Sequence, residues 1–143
     1  MDNEFKKLVI LDNYQNPKNR GLVYKNNYDT INTNSESCID QIDIQIKMNN
    51  NIIEDIRFDG EACAICTSST SIMIKSLIGK TKEEAVEIIS NFQKMIAEKN
   101  YNEEILNEAI VFEDIAKQPN RKKCATLTWD GIKAFIESRD DYE

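Results

Sequence analysis

The clearest pattern along the chain is an alternation of apolar and polar residues over positions 41 to 48. One face of this segment carries Ile42, Ile44, Ile46 and Met48. Such alternation is typical of a β-strand with one buried face. A second apolar segment covers residues 52 to 58, and Asn49-Asn50-Asn51 between the two segments favours a turn. The two segments therefore predict a β-hairpin.

One helix is predicted before this hairpin and one after it. The first covers residues 4 to 14 and ends at Asn16-Pro17, because a proline disfavours helical backbone in the residue before it. One face of this short amphipathic helix carries Phe5, Leu8, Val9 and Asp12. The second helix begins close to Cys63 and continues at helical spacing until Gly79. Cys63 is therefore expected at or near the N-terminus of a helix.

Two more helices are predicted in the second half of the chain. Thr81-Lys82-Glu83-Glu84 has the pattern of a capping box, which indicates the start of a helix. The final helix is expected to begin just beyond Cys124. Its inward face carries Trp129, Ile132 and Ile136. Between these helices, residues 101 to 118 show only short acidic and apolar pieces, and Pro119-Asn120 indicates a loop.

Composition limits the kinds of function that fit this chain. With 143 residues and 41% hydrophobic content, it is expected to form one domain over residues 1–143. The net charge of -7 argues against nucleic-acid binding, which needs clustered basic residues. No stretch approaches the roughly twenty apolar residues of a membrane helix, and the N-terminus does not resemble a signal peptide. We therefore expect a cytoplasmic protein without nucleic-acid or membrane partners.

The cysteine and histidine content narrows the chemistry further. The chain has 4 cysteines and 0 histidines. In a reducing cytosol, cysteines are expected to remain thiols that serve metal or sulfur chemistry. The lack of histidine excludes Ser-His and Cys-His catalytic pairs and every zinc site that uses histidine. Any metal is therefore expected to be held by Cys, Asp or Glu.

Three of the cysteines are predicted at the ends of secondary-structure elements. Cys38 lies in a polar loop before the first predicted strand, and Cys63 and Cys124 lie near the starts of helices. Loops at one end of a scaffold can converge, and helix N-termini favour thiolates, which bind metals and react more readily. On spacing alone, three unrelated buried cysteines are an equal alternative, because cysteine often packs as a small apolar residue.

Four short motifs are spread along nearly the whole chain. They are NPKNRG at residues 16–21, Cys38-Ile39-Asp40, FDGEACAI at residues 58–65 and KCATLTW at residues 123–129. In these motifs the chain resembles the IscU, SufU and NifU N-terminal family of iron-sulfur cluster assembly proteins. The resemblance implies an α+β fold, with a three-stranded antiparallel sheet packed with helices and three cysteines gathered at one end. The third strand would then lie within residues 22 to 37.

In three features the chain differs from the cluster scaffolds of this family and resembles the SufU-type branch. Lys123 stands where cluster scaffolds usually carry histidine, directly before the third cysteine. The segment AKQPNRK at residues 116–122 stands where scaffolds carry the chaperone-docking sequence LPPVK. The segment between Cys63 and Cys124 also leaves room for the insertion that distinguishes SufU-type members, here about residues 98–118.

The resemblance to SufU-type members implies a zinc site formed by Cys38, Asp40, Cys63 and Cys124. This set suits Zn²⁺, which accepts thiolates and a carboxylate in tetrahedral coordination. The alternative role for Asp40 is that its side chain caps the loop beside the strand and binds no metal. Arg121 matches an arginine next to the SufU site and is expected to act there as a catalytic residue, with solvated surface as the alternative.

Two positions depart from the family pattern. Ile39 stands where the family usually has glycine, so the loop that carries Cys38 is expected to be stiffer. Cys66 lies one helical turn after Cys63, where the family tends to have a small residue. It could be a spare ligand or a resolving thiol, but a core position is favoured because cysteine packs like a small apolar residue.

The leading hypothesis for function is sulfur transfer. Cys38 is the predicted acceptor of persulfide sulfur from a SufS-like cysteine desulfurase, because its polar loop moves more easily than the helix starts at Cys63 and Cys124. The sulfur would pass to a downstream cluster scaffold or to apo-proteins. The first alternative is an IscU-like scaffold that assembles a [2Fe-2S] cluster on the same residues, and the second is a structural zinc-binding adaptor.

Overall fold

The computed structural model of the protein describes residues 2–25, 27–34 and 40–140. Its elements in chain order are helix α1 (Asn3–Gln15), strands β1 (Asp29–Asn34), β2 (Gln41–Asn49) and β3 (Ile52–Glu61), helices α2 (Ala64–Leu77) and α3 (Lys82–Ile96), the 3₁₀ segments η1 (Glu103–Ile105) and η2 (Asn107–Lys117), and helix α4 (Pro119–Asp140). The predicted α+β class is therefore confirmed.

The three strands form one antiparallel sheet in the order β1-β2-β3. The predicted hairpin is β2 and β3, and its turn contains Asn50 with a positive φ of 56°, which asparagine tolerates better than most residues. The alternating isoleucines of β2 face the core, where Ile42, Ile44 and Ile46 are at most 1% exposed. The third strand, β1, lies within the range expected for it.

Helix α2 crosses the middle of the core, although its centre is rich in hydroxyl groups. Five successive polar residues of this helix are buried: Thr67, Ser68, Ser69, Thr70 and Ser71. Ser69 donates to the carbonyl of Ala125 at 2.6 Å and accepts the indole N–H of Trp129 at 2.8 Å. The hydroxyls of Thr70 and Thr128 are 3.0 Å apart. Side-chain hydrogen bonds, one to the backbone and two to other side chains, therefore join α2 to α4.

Helix α1 forms where it was predicted but does not bury its most apolar side chains. Phe5 is 52% exposed and Leu8 is 62% exposed, whereas Lys6 and Asn13 are buried. Lys6 Nζ lies 2.8 Å from a carboxylate oxygen of Asp114, and Asn13 donates to a carboxylate oxygen of Glu108 at 2.8 Å. The helix faces inward through these polar groups because η2 presents acidic partners to it.

Helix α4 begins earlier than the sequence suggested. The prediction that it starts just beyond Cys124 is wrong, because the helix begins at Pro119 and Cys124 lies in its second turn. Proline suits the first position of a helix, where its missing N–H has no helical partner. The first turn is polar and largely exposed, so the sequence shows no apolar residues at helical spacing there. The predicted inward residues Trp129, Ile132 and Ile136 are buried.

The segment between α3 and α4 folds as short 3₁₀ turns that close one side of the core. Val111 and Phe112 of η2 are at most 2% exposed, and the rings of Phe92 and Phe112 meet edge to face at 6.2 Å. Phe92 also stacks on Trp129 at 4.0 Å. The status of residues 98–118 as an insertion stays a prediction. Within the described ranges, no helix is long and apolar enough to cross a bilayer.

Gly60 of β3 is expected to be intolerant of any side chain. Its φ is +139°, and a Cβ there would lie 2.1 Å from the carbonyl oxygen of Gln41 on β2. Gly60→Ala should therefore force the two strands apart and lower the free energy of unfolding by about 3 kcal/mol or more. Urea unfolding followed by circular dichroism measures this loss.

Gly21 provides the matched control for this substitution. It also has a positive φ, +111°, but among the described residues a Cβ there would meet no heavy atom within 4 Å. Gly21→Ala should cost only the backbone strain, about 1 to 2 kcal/mol. Equal losses in the two variants would show that the close approach of Gln41 is unimportant.

Candidate metal centre

Three potential metal ligands meet at one end of the sheet. Asp40 directly precedes β2, Cys63 is the N-cap of α2, and Cys124 lies in α4. One carboxylate oxygen of Asp40 and the two sulfur atoms all lie within 4.8 Å of one another. The structure therefore brings together three of the four residues proposed as zinc ligands. Cys38, the fourth, and its neighbour Ile39 lie outside the described residues.

Cys63 occupies a position defined by the start of α2. Its backbone is extended, with φ -68° and ψ 169°, so its side chain turns back over the first helical turn. The sulfur accepts the backbone N–H of Cys66 at 3.4 Å. An N-terminus of a helix carries partial positive charge, and α2 has no acidic residue in its first turn to oppose it. The start of the helix therefore places partial positive charge and one N–H donor beside the Cys63 sulfur.

Asp40 is buried, and its carboxylate accepts a hydrogen bond from the backbone of Cys63. One oxygen of its carboxylate, Oδ1, accepts the backbone N–H of Cys63 at 2.7 Å. The other oxygen, Oδ2, lies 3.8 Å from the Cys63 sulfur. Asp40 is only 1% exposed, so its charge is removed from bulk water. The carboxylate therefore has one oxygen engaged in holding the site together and one oxygen directed at the sulfur atoms.

Cys124 is held in place by the contacts between α2 and α4. It is 1% exposed, and the next residue, Ala125, is the one whose carbonyl accepts the hydroxyl of Ser69. Because Ser69 belongs to the helix that begins at Cys63, these contacts set the separation of the two sulfurs. Sequence reasoning missed this support, although the run of serine and threonine in a buried helix was a signal for it.

Arg121 and Cys66 are near the three potential ligands in the sequence but do not belong to the group. Arg121 is exposed and precedes Cys124 by about one helical turn, so both project from neighbouring positions on α4. Cys66 is 0% exposed and belongs to the hydrophobic core cluster. Its position agrees with the favoured interpretation of this cysteine as a core residue.

The chemistry and spacing of the three residues fit a zinc ion. Zinc binds sulfur at about 2.3 Å and carboxylate oxygen at about 2.0 to 2.2 Å, which places tetrahedral sulfur and oxygen ligands about 3.5 Å apart. The observed separation of 3.8 Å between Cys63 Sγ and Asp40 Oδ2 is close to this value. Two sulfurs and one carboxylate leave one tetrahedral position for a further ligand.

The chain is similar in sequence to a known protein family over most of its length. Residues 5–138 match the family described as NifU-like N terminal domain. The chain is 35% identical over 133 residues to the zinc-dependent sulfurtransferase SufU of Bacillus subtilis, covering 92% of this chain and 89% of that protein. It is also 35% identical over 130 residues to the iron-sulfur cluster assembly scaffold protein IscU of Streptococcus pyogenes, covering 90% and 80%.

Solved structures give the same family relationship. The crystal structure of the SufU protein of Fervidobacterium islandicum AW-1 superposes with a TM-score of 0.84 at 32% identity, covering 88% of this chain and 92% of that one. The N-terminal NifU-like protein of Brucella abortus has the same fold, with a TM-score of 0.85 at 20% identity, over 99% of this chain and 100% of that one. The chain therefore belongs to the IscU/SufU/NifU N-terminal family of iron-sulfur cluster assembly proteins, as a SufU-type member.

Proposed function

We propose that this protein acts in iron-sulfur cluster assembly as a zinc-dependent sulfurtransferase, which accepts persulfide sulfur from a SufS-like cysteine desulfurase. The observation that carries the proposal is the meeting of Asp40, Cys63 and Cys124 within 4.8 Å. The SufU relative from Bacillus subtilis, a zinc-dependent sulfurtransferase, supports the same reaction class.

In this proposal, Cys63, Cys124 and Asp40 hold the zinc ion, and Cys38 provides the remaining ligand. Zinc supplies a Lewis-acid centre that keeps cysteine ligands deprotonated at neutral pH. Cys63 and Cys124 are the anchored ligands, because α2 and α4 fix their positions through Ser69. Asp40 would hold the zinc through Oδ2, the oxygen nearer the Cys63 sulfur, because Oδ1 already accepts the backbone N–H of Cys63.

Cys38 is the residue that takes up sulfur. Its sulfur attacks the terminal sulfur of the desulfurase persulfide, which forms a new S–S bond on Cys38 and breaks the S–S bond of the donor. The desulfurase cysteine leaves as a thiolate, so the number of persulfides is unchanged. A downstream cluster scaffold or an apo-protein then receives the sulfur from Cys38 by the same exchange.

Arg121 is assigned a role in orienting the incoming donor. It lies about one turn before Cys124 on the exposed surface of α4, next to Lys122 and Lys123. A persulfide is an anion at neutral pH, and a positive cluster beside the ligands would attract it and the acidic groups around it. In this proposal, the basic start of α4 is the side at which the desulfurase docks.

A scaffold function is the second candidate, because the same cysteines and Asp40 could hold a [2Fe-2S] cluster. The 35% identity to the scaffold IscU of Streptococcus pyogenes favours it specifically. Lys123, in the position before Cys124, weighs against it because a cationic lysine cannot replace a neutral histidine as a ligand. A structural zinc adaptor would keep its metal but would not take up sulfur.

Protein purified without added metal is expected to be colourless and to carry a single zinc ion. Cys63→Ser and Cys124→Ser should each remove most of this zinc, since a hydroxyl is a much weaker zinc ligand than a thiolate. Cys66→Ser is the matched control and should retain the metal. Elemental analysis and the visible spectrum measure the outcome. A brown protein with a stable visible cluster would favour the scaffold function instead.

Asp40 is expected to contribute less to zinc affinity than either anchored cysteine. Asp40→Ala removes both the ligand oxygen and the acceptor for the Cys63 N–H, so affinity should fall by about tenfold to a hundredfold. Asp40→Asn is the matched variant, because its amide oxygen can still accept the Cys63 N–H at the Oδ1 position. Competition with a chromophoric chelator measures both affinities, and wild-type affinity in Asp40→Ala would exclude Asp40 from the site.

Cys38→Ala is expected to abolish sulfur uptake while the domain remains folded. The reason is that Cys38 is predicted from the sequence to lie in a polar loop, whereas Cys63 is the N-cap of α2 and Cys124 lies in α4. Mass spectrometry after incubation with a cysteine desulfurase and cysteine locates the added sulfur, with Cys66→Ala as the control that should still accept it. Sulfur on Cys124 with Cys38 unmodified would contradict the assignment.

A further inference from the structure

Cys63 and Cys66 form a Cys-x-x-Cys pair at the start of α2. Cys63 is the N-cap residue and is partly exposed, and Cys66 is the third residue of the helix and is 0% exposed. The proposed metal centre uses Cys63 and leaves Cys66 without a chemical role. In this position, one cysteine can be reached by small reagents and the other lies behind it in the core.

The backbone geometry at this site suits a disulfide. The sulfur of Cys63 lies 3.4 Å from the backbone nitrogen of Cys66, so it already sits over the residue that would become its partner. Side chains three positions apart in a helix have Cβ atoms about 5 to 6 Å apart, and a disulfide needs about 3.5 to 4.5 Å. Cys63 is the N-cap and not a helical residue, and its extended backbone turns its side chain back over the first helical turn, which is the direction that closing the bond requires.

Cys124 is the competing partner for Cys63, because their sulfurs are also within 4.8 Å. A bond between them would join α2 to α4, whose spacing is already set by the contacts of Ser69 and Thr70. A bond between Cys63 and Cys66 requires rearrangement within one turn of one helix. Pairs of this kind at helix N-termini are also the ones that cycle between thiol and disulfide.

We propose that Cys63 and Cys66 are a redox modification site that closes to a disulfide in the presence of a peroxide. The Cys63 sulfur takes one oxygen from hydrogen peroxide, which gives a sulfenic acid and water. The Cys66 thiol then displaces the hydroxyl group, so that an S–S bond forms and a second water is released. The two sulfurs are oxidised and the peroxide is reduced, and a dithiol reductant restores both thiols.

Closure of this disulfide would remove one of the anchored zinc ligands. A sulfur in a disulfide has no thiolate to offer, so the metal would be held only by the remaining ligands and would be released. This consequence rests on the proposed function, whereas the disulfide itself depends only on the two cysteines. Cys66 would then protect Cys63, because a sulfenic acid without a nearby thiol is oxidised further and irreversibly.

Peroxide treatment of the zinc-loaded full chain, followed by alkylation and tryptic digestion, tests the disulfide. Trypsin yields residues 58–75 with both Cys63 and Cys66, residues 124–133 with Cys124, and residues 26–47 with Cys38. The expected product is the peptide of residues 58–75 lighter by two hydrogen atoms and resistant to alkylation until reduced. A cross-link from this peptide to either of the others would overturn the proposal.

Metal release provides the second measurement, with Cys66→Ala as the variant. A chromophoric zinc chelator should report zinc loss from the wild type, and dithiothreitol with fresh zinc should restore nearly full metal content. Cys66→Ala should recover clearly less of its zinc than the wild type, because its Cys63 either proceeds to sulfinic acid or has to bond to Cys124 across two packed helices. Equal recovery in the two proteins would refute the protective role of Cys66.

These two readouts separate the inference from the proposed function. Should the purified protein carry no zinc, the peptide of residues 58–75 still shows whether the disulfide forms, and only the proposed metal centre fails. Should zinc be present and peroxide leave this peptide unchanged, the metal centre stands and the redox site is wrong.

Discussion

The hydroxyl of Ser69 is the contact on which the geometry of the site depends. It donates to the backbone of Ala125 and accepts from the indole of Trp129, so it binds α2 to α4 in the middle of the core. Cys63 begins the first of these helices, and Cys124 precedes Ala125 in the second. A buried hydroxyl with both partners satisfied resists displacement, because breaking it leaves unpaired polar groups away from water. This contact therefore helps to set the separation of the two sulfurs.

The third potential ligand, Asp40, is positioned by the sheet. Asp40 directly precedes β2, whose first residue pairs with Glu61 at the end of β3. The close approach of Gly60 to Gln41 lets these strand ends meet, and Asp40 then reaches the backbone N–H of Cys63. Each of the three residues thus depends on a different kind of constraint, namely strand pairing, helix capping and helix packing.

Sequence patterns predicted the framework well where a period or a turn signal was strong. The hairpin, the helix that begins next to Cys63 and the capping box at Thr81 all form as expected. The start of α4 was misplaced because its first turn is polar and exposed. The inward face of α1 could not be predicted from apolar spacing, since Lys6 and Asn13 are buried by acidic partners from a distant part of the chain.

For the candidate site, the sequence motifs named three residues that the structure brings together, but not the contacts that support them. Asp40, Cys63 and Cys124 were grouped through the family resemblance, and the structure brings them together. The hydrogen bond from Cys63 to Asp40 and the contacts of Ser69 were missed, because pairing between residues far apart in the chain leaves no local pattern. The roles assigned to Cys38 and Arg121 stay predictions.

The way α1 docks makes it the element that detaches most readily. It contributes no fully buried apolar side chain among its described residues, and its buried groups are Lys6 and Asn13. The ion pairs of Lys6 with Glu113 and Asp114 weaken as salt screens them, whereas the isoleucine core is unaffected. Local opening of α1 should therefore cost less free energy than global unfolding, and the cost should decrease with ionic strength. The domain thus has an N-terminal helix whose fully buried contacts are polar, with Val9 and Ile10 only partly buried against the core, and a remainder whose cohesion is hydrophobic.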